Sequence, residues 1–420
     1  MTKKKVIIVG AGTIGLHCAL FLTQEGHEVE ILEALPEQDE SACSYGNCGF
    51  IVPSHFTPLA SPAMLRSGLR MMFDPKSAFC LPAFSAVKNL PWFFNFVRAA
   101  NPKRAETAAP LLFQLNIASR KLYAELENKF HPGAGYAQNG LLMASVTQKG
   151  FDEEISLAKI ADRLGMNTRI ITDMELGKTY PGLDIRLSGA VWYESDAQIR
   201  PEKHMRWLKK WLTAHGVTIR YQEKVEEIRH SNHTIAAVHT ATGSYRADEF
   251  VIASGVRSAG LAQKVNIRLP VIAGKGYCIN LPYPENKFRV PLILTEAKVA
   301  VSPYEDGIRL GSGMEFNGKV GHIRKLRVKA MLERTGTALP FLRIPDISQI
   351  PVLEYIRPVS PDGLPFLGRT AQYTNLLFST GHAMMGMSLG PVSGKMISNM
   401  ISGKDAGFRL SLLNPDRYST

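Results

Sequence analysis

The chain has 420 residues, 45% of them hydrophobic and 20% charged, which excludes a mainly disordered protein and exceeds what one ordinary core organises, so two domains are expected. Lys and Arg number 49 against 37 Asp and Glu, a formal net charge of +12 that would attract a substrate carboxylate, a phosphate-bearing cofactor or a membrane surface. Basic and aromatic residues are not interleaved in a nucleic-acid motif, so no nucleic-acid partner is expected. The five cysteines, Cys18, Cys43, Cys48, Cys80 and Cys278, are odd in number and scattered, which argues for a reducing compartment rather than a disulfide framework. No CxxC, HExxH or Cys/His cluster has metal-ligand spacing, and no metal is expected.

At the amino end Lys3, Lys4 and Lys5 precede a charge-free run from Val6 to Gln24 that could pass for a signal peptide or a membrane span. Three glycines, Thr13, His17 and Thr23 dilute it, and the run divides into a strand and a helix, the pattern of a cytoplasmic core. Val6–Val9 reads as a short buried strand, Gly10-Ala11-Gly12-Thr13-Ile14-Gly15 as GxGxxG, Leu16–Glu25 as a helix ended by Gly26, and Glu28–Glu33 as a second strand closing on an acid. In that order Gly10 permits the tight turn, Gly12 lets backbone approach a pyrophosphate and Gly15 lets helix meet sheet, with the phosphates at the helix amino end. Glu33 is placed to accept hydrogen bonds from ribose hydroxyls, and its charge disfavours a 2′-phosphate, so NADP is not expected.

The small, polar stretch Ser41 to Gly49 suits a loop that hugs a cofactor. Leu90-Pro91-Trp92-Phe93-Phe94-Asn95-Phe96-Val97-Arg98, with Lys103 and Arg104 nearby, reads equally as an interfacial segment or as a buried helix of a substrate domain. A helix begins near Pro201 and ends before Gly216, followed by Val217–Tyr221 and hairpin-like strands around Asn232 and Thr242-Gly243. Phe250–Ile252 is an unbroken apolar strand running into Ala253-Ser254-Gly255, as a parallel strand beside a cofactor would. Farther on stand Gly274-Lys275-Gly276-Tyr277, Gly311–Glu315, the block Arg357-Pro358-Val359-Ser360-Pro361-Asp362-Gly363-Leu364-Pro365-Phe366-Leu367-Gly368-Arg369, apolar Asn375–Phe378, Thr380-Gly381-His382, and a helix from about Met387 to Ser402.

Taken together, the fingerprint, the Ser44-Tyr45-Gly46-Asn47-Cys48-Gly49 loop, Pro53 through Pro62 and these later blocks resemble the FAD-dependent D-amino acid dehydrogenases of the glycine oxidase and D-amino acid oxidase superfamily. The resemblance runs over nearly the whole chain. It implies an α/β fold: a Rossmann-like FAD-binding domain (1–63, 194–272 and 346–420) and an α+β substrate domain on an antiparallel sheet (64–193 and 273–345). It implies non-covalent FAD held by Gly10, Gly12, Thr13, Ile14, Gly15, Glu33, Ala34, Ser41, Asn47, Cys48, Gly49, Val225, Ser254, Gly255, Gly381, His382, Met385, Gly386, Met387 and Ser388. Arg357, as the substrate-carboxylate anchor, with Tyr277 and His55 in the pocket, completes the implied site.

The implied reaction is oxidative deamination of a D-amino acid, or oxidation of a D-proline or hydroxy-D-proline type imino acid. The α-hydrogen leaves as hydride to flavin N5, an imine forms, and the electrons go to a quinone or other carrier, on a protein that is cytoplasmic or peripheral to the inner membrane face. Guanidinium suits the anchor because it pairs with carboxylate two-pronged, and Pro358 and Pro361 restrict the backbone around it. The amino end of the helix after Gly386 would place positive dipole near the flavin. Met384 and Met385 stand where smaller or hydroxyl-bearing residues are usual in the family, and Ser254 where Thr is. Glycine, sarcosine or 2-hydroxy acid oxidation within the same superfamily is the alternative, and a non-enzymatic anion-binding or nucleic-acid-binding protein is the alternative of another class.

Overall fold

The computed structural model describes residues 2–419 apart from 63–64, 67–73, 82–84, 86, 88, 180–182, 283–287 and 317–320. The expected domain boundary at 63/64 lies outside the described residues. Lys5–Val9 occupies the interior of a six-stranded sheet ordered Phe366–Arg369, Leu376–Thr380, Glu249–Ile252, Lys5–Val9, Glu28–Leu32, Thr218–Arg220. Every neighbouring pair is parallel except the first, an antiparallel edge. Burial on both faces accounts for the unbroken apolar runs Val6–Val9 and Phe250–Ile252.

The helix after the first strand spans Thr13–Gln24, beginning three residues before the expected Leu16 because the chain enters it directly from the glycine turn. Across it lies the helix Gly386–Ile401, and their approach depends on residues without side chains: a Cβ at Gly390 would fall 2.8 Å from His17 Nδ1, and one at Gly394 2.5 Å from His17 O. The 29-residue helix Pro102–Phe130 packs on both, adding Ala108, Leu111, Leu112, Leu115 and Leu126 to the same core. By packing, this helix goes with the parallel sheet, although it falls within the segment 64–193 expected for the substrate domain.

The second body is a nine-stranded sheet ordered Leu353–Val359, Ile272–Leu281, Gly307–Glu315, Val299–Tyr304, Leu292–Leu294, Leu141–Ser145, Gly189–Tyr193, Thr168–Thr172, with Phe79–Cys80 alongside Gly307–Glu315. It is mixed and mostly antiparallel; Leu292–Leu294 with Leu141–Ser145, and Phe79–Cys80 with its neighbour, are the parallel pairs. One face buries Ile279, Val301 and Leu310 against Val328, Met331 and Leu332 of the helix Lys325–Ala338. The other faces the loop 41–49. Leu353–Val359 pairs with Ile272–Cys278 from Ile272↔Val359 to Cys278↔Leu353, so this edge strand belongs to the large sheet although it lies in the segment 346–420 expected for the FAD-binding domain. Among the described residues no helix is long and apolar enough to cross a membrane.

Candidate functional site

Gly10 has φ +109°, a backbone conformation costly for any residue with a Cβ, and a Cβ there would also fall 2.8 Å from Ala253 O. Gly15 answers a different demand, because a Cβ would run into Gly10 O. Gly12 answers neither: the nearest atom to a Cβ there is Ser44 Oγ at 3.6 Å. The fold therefore leaves open space over Gly12, at the amino end of Thr13–Gln24, where no side chain caps the helix and no acid sits in the first turn. Thr13 N–H donates to Ser44 Oγ (3.0 Å), and Ile14 is buried beneath the turn.

Glu33, just past the second strand, accepts from Ala11 N–H (2.6 Å) at one carboxylate oxygen and from Leu35 N–H (2.9 Å) at the other, with Ala34 between. Each oxygen keeps a lone pair for a further donor. Glu223 N–H donates to Glu33 O, which lays the chain leading to Val225 beside Glu33, but the Val225 side chain itself turns into a core with Ile228 and Ile235. On the other side Ser254 passes over Gly10, and Thr380 Oγ1 donates to Gly255 O at 3.0 Å.

The loop 41–49 is held from the large sheet. Buried Arg309 donates to Tyr45 O (3.0 Å) and Asn47 O (2.9 Å) and pairs with Glu202, while Ser302 and Tyr304 hydroxyls both donate to Cys48 O. Asn47 Oδ1 accepts from Gly49 N–H, and Tyr355 lies against Gly46. Ser41, by contrast, is exposed and donates its N–H to Asp39; Ser44 is the serine that reaches the glycine turn. Burial raises the thiol pKa values of Cys43 and Cys48, keeping both protonated.

The amino end of Gly386–Ile401 meets that of Thr13–Gln24: Thr13 Oγ1 is 3.8 Å from Met387 Sδ, and this second helix also starts without a capping side chain or an acid in its first turn. Ser388 Oγ is already engaged, accepting from Val52 N–H (2.9 Å) and donating to Asn116 Oδ1 (2.5 Å), and Met387 O accepts from Tyr123 OH. Gly381 turns the chain with φ +77°. The His382 ring points into its own helix, with Nε2 2.9 Å from Ser393 Oγ, and burial pushes its pKa down to about 3. Met385, half-buried, packs with Phe50 and Val52 toward Met143, Ile293 and Ala300 of the large sheet, forming an apolar patch between the two bodies.

Arg357, on the edge strand, shares the loop-facing side of the sheet with Ala300, Ile293 and Met143 of this patch. Its guanidinium lies so close over Gly276 that a Cβ there would run into it, and Nη1 donates to Gly313 O at 2.5 Å. The buried arginines Arg309 and Arg327 have carboxylate partners, Glu202 and Glu315; among the described residues Arg357 has none. Tyr277 lies on the opposite face. Antiparallel register places Gly274 and Gly276 with Arg357, and Lys275 and Tyr277 with Glu354, where Tyr277 OH donates to Glu315 (2.9 Å) and fully buried Lys275 pairs with Glu354 (3.0 Å). The structure thus separates Tyr277 from Arg357, which the sequence reading had put in one pocket.

His55 follows the strand Phe50–Ile51, which pairs with Ala197–Gln198. Its Nδ1 is 3.1 Å from Ser54 Oγ, and Ser54 bonds to buried Asp196 through Oγ (2.5 Å) and N–H (3.0 Å). Ser54, Asp196, Arg309 and the glycines Gly390 and Gly394 carry much of this geometry and were not singled out in the sequence. Only the four-residue spacing of Gly386, Gly390 and Gly394 offered a local signal.

A parallel sheet with a glycine turn and a ribose-type acid, faced by a large mixed sheet, is the arrangement of a dinucleotide-binding protein. The model of the FAD dependent oxidoreductase (DAO) family matches residues 5–400, and the chain belongs to that family. It is 26% identical over 401 residues to the D-amino acid dehydrogenase of Helicobacter pylori, covering 95% of each chain, and 26% identical over 430 residues to that of Paramagnetospirillum magneticum, covering 99% of each. Among solved structures, glycine oxidase from Geobacillus kaustophilus matches with a TM-score of 0.77 at 21% identity over the whole of both chains. The L-proline dehydrogenase from P. horikoshii matches with 0.74 at 17% identity, covering 99% of this chain and 98% of that one. The family implies FAD as cofactor, and the open space over Gly12, the two uncapped helix starts and the spare Glu33 lone pairs fit a dinucleotide pyrophosphate and ribose.

Proposed function

We propose that this protein oxidises D-amino acids, or cyclic imino acids of the D-proline type, and passes the electrons to a quinone or another carrier. The observation that carries the reading is Arg357: a half-buried guanidinium, fixed at one N–H and matched to no protein carboxylate among the described residues, on the same sheet face as Ala300, Ile293 and Met143 of the apolar patch. A small carboxylate substrate supplies the missing anion, and its side chain meets Phe50, Val52 and Met385. Bound FAD supplies the two-electron acceptor for the α-hydrogen, which leaves as hydride. Gly12, the first turns of the two convergent helices and Glu33 would hold the cofactor, while Arg357 sets the substrate's orientation. The names of the relatives support the choice of amino acid over 2-hydroxy acid.

Arg357→Met is the test. Losing the charge-assisted bond costs roughly 2 to 5 kcal/mol, so flavin reduction by an amino acid should fall about thirty-fold to several thousand-fold in kcat/KM with flavin still bound. Amino acid amides, lacking the carboxylate, should be poor substrates for the wild type and lose little more in the variant. Equal losses for acid and amide would mean that Arg357 supports structure, and the anchor would lie elsewhere.

A further inference from the structure

Oxidising an amino acid at neutral pH poses a problem that Arg357 does not solve: the substrate arrives as an ammonium, and hydride departs only once nitrogen has a lone pair to form the C=N bond. A group must take that proton. His55, Ser54 and Asp196 make a hydrogen-bonded chain of the right chemistry, which Asp196 joins only through the fold.

Pairing of Phe50–Ile51 with Ala197–Gln198 brings Asp196 beside Ser54. Asp196 is fully buried, receives Ser54 Oγ–H at 2.5 Å and Ser54 N–H at 3.0 Å, and has no cation at ion-pair distance among the described residues. Because the Ser54 hydroxyl gives its hydrogen to the carboxylate, the 3.1 Å contact with His55 must run from Nδ1–H to Ser54 Oγ. That fixes the tautomer and leaves the lone pair at His55 Nε2, which bonds to no described residue. The segment is anchored at the candidate cofactor site: His55 N–H donates to Val52 O, and Val52 N–H donates to Ser388 Oγ in the first turn of Gly386–Ile401, while Val52 itself packs with Met385.

We infer that His55, Ser54 and Asp196 form a proton relay that takes the substrate ammonium proton at His55 Nε2 and delivers it to Asp196. The inference rests on the proposed amino or imino acid oxidation. In the step, the N–H bond of the ammonium breaks and an Nε2–H bond forms; the Nδ1 hydrogen moves to Ser54 Oγ; the original Ser54 hydrogen moves to Asp196 Oδ2. His55 ends neutral with its hydrogen on Nε2, Ser54 is again a hydroxyl, Asp196 is a neutral acid, and the substrate is a neutral amine ready to lose hydride as an iminium forms. No electrons move in the relay.

The electrostatics favour passage over storage at the imidazole. Burial and the facing Lys298 push His55 down to about 4, so imidazolium does not persist. Burial pushes Asp196 up to about 7 despite its bonds from Ser54 and the more distant Arg120, so the carboxyl end holds the proton far better than an ordinary carboxylate would. Tyr193 stays neutral, its pKa raised by burial and by the carboxylates Glu154, Asp196 and Asp162.

Ser54→Ala cuts the chain while keeping the Ser54 N–H bond to Asp196; His55→Gln and Asp196→Asn remove its two ends. The readout is anaerobic reduction of the flavin-loaded full chain by D-proline and D-alanine from pH 6 to 10. In the wild type the rate should rise to about pH 7 and then level off. In each variant it should be down roughly 100-fold at pH 7 and climb about tenfold per pH unit toward the wild-type value, because only the pre-existing free amine reacts. A variant rate lowered by one factor at every pH, or a wild-type profile in Ser54→Ala and His55→Gln, overturns the relay; these two decide the matter if Asp196→Asn does not fold. Failure of amino and imino acids to bleach the wild-type flavin at any pH instead overturns the proposed function, and the relay with it.

Discussion

Single atoms separate residues that serve the fold from residues that serve the ligand. Gly15 and Gly12 belong to one motif, yet a Cβ at Gly15 would run into Gly10 O whereas one at Gly12 finds nothing nearer than 3.6 Å. Gly15→Val should therefore fail to fold. Gly12→Val should fold, with apoprotein stability within about 1 kcal/mol of wild type, and be purified colourless. Circular dichroism melts and the 450 nm flavin band check both outcomes; fully flavin-loaded Gly12→Val would remove the pyrophosphate from this turn. His17 shows the same resolution by tautomer. Its Nδ1–H donates to Thr13 O (2.7 Å), so its Nε2 accepts from His204 Nε2–H at 3.1 Å, and both His17 ring nitrogens are engaged with the ring neutral.

At the scale of elements, the link between the two bodies is the loop 41–49 gripped by Arg309. Arg309→Met leaves two loop carbonyls without their donor and Glu202 with Arg200 as its remaining cation, a loss of about 3 kcal/mol by the usual cost of breaking a buried pair, and should release flavin on gel filtration. Retention at the wild-type affinity would show the loop held without it. The helix Leu90–Ala99 joins both readings of its sequence: Trp92 is buried and donates to Val359 O (3.0 Å), whereas Leu90, Phe94 and Val97 are exposed near Arg98, Lys103 and Arg104. Binding to anionic liposomes that weakens with salt, and is reduced in Phe94→Ser, is expected; no binding at low salt would leave this face without a membrane role.

The first strand, turn, helix and second strand were legible because their signals are local: apolar runs, glycine spacing and a closing acid within the first 33 residues. Alternation in Gly274-Lys275-Gly276-Tyr277 already implied that Tyr277 and Gly276 face opposite ways once the segment is a strand, but not which of the two shares a face with Arg357. The sheet to which Arg357 belongs was not, because its pairing with Ile272–Cys278 is fixed by register rather than by anything near residue 357. Ser54 and Asp196 meet across 142 positions, and no spacing rule predicts that encounter.

For the whole molecule, the buried imidazoles set the response to acid. His17 is held near pKa 4 by burial, below its ordinary 6.5, so the unfolded chain binds the proton that the folded one refuses. The stability from keeping it neutral is complete above pH 6.5 and is lost as pH falls toward 4, roughly 3 kcal/mol in all. His17→Asn, which can keep the bond to Thr13 O without titrating, should flatten the decline in unfolding midpoint across that window; an unchanged slope would place the acid sensitivity elsewhere. The proposed function places between the two bodies a site where FAD would oxidise an amino or imino acid anchored by its carboxylate. Anaerobic mixing of the flavin-loaded protein with D- and L-alanine, D- and L-proline, glycine, sarcosine and D-lactate tests it most directly. Loss of the 450 nm band with the D-amino or D-imino acids, reversed by a quinone far faster than by oxygen, is the predicted result; bleaching by D-lactate alone, or by none of them, would contradict it.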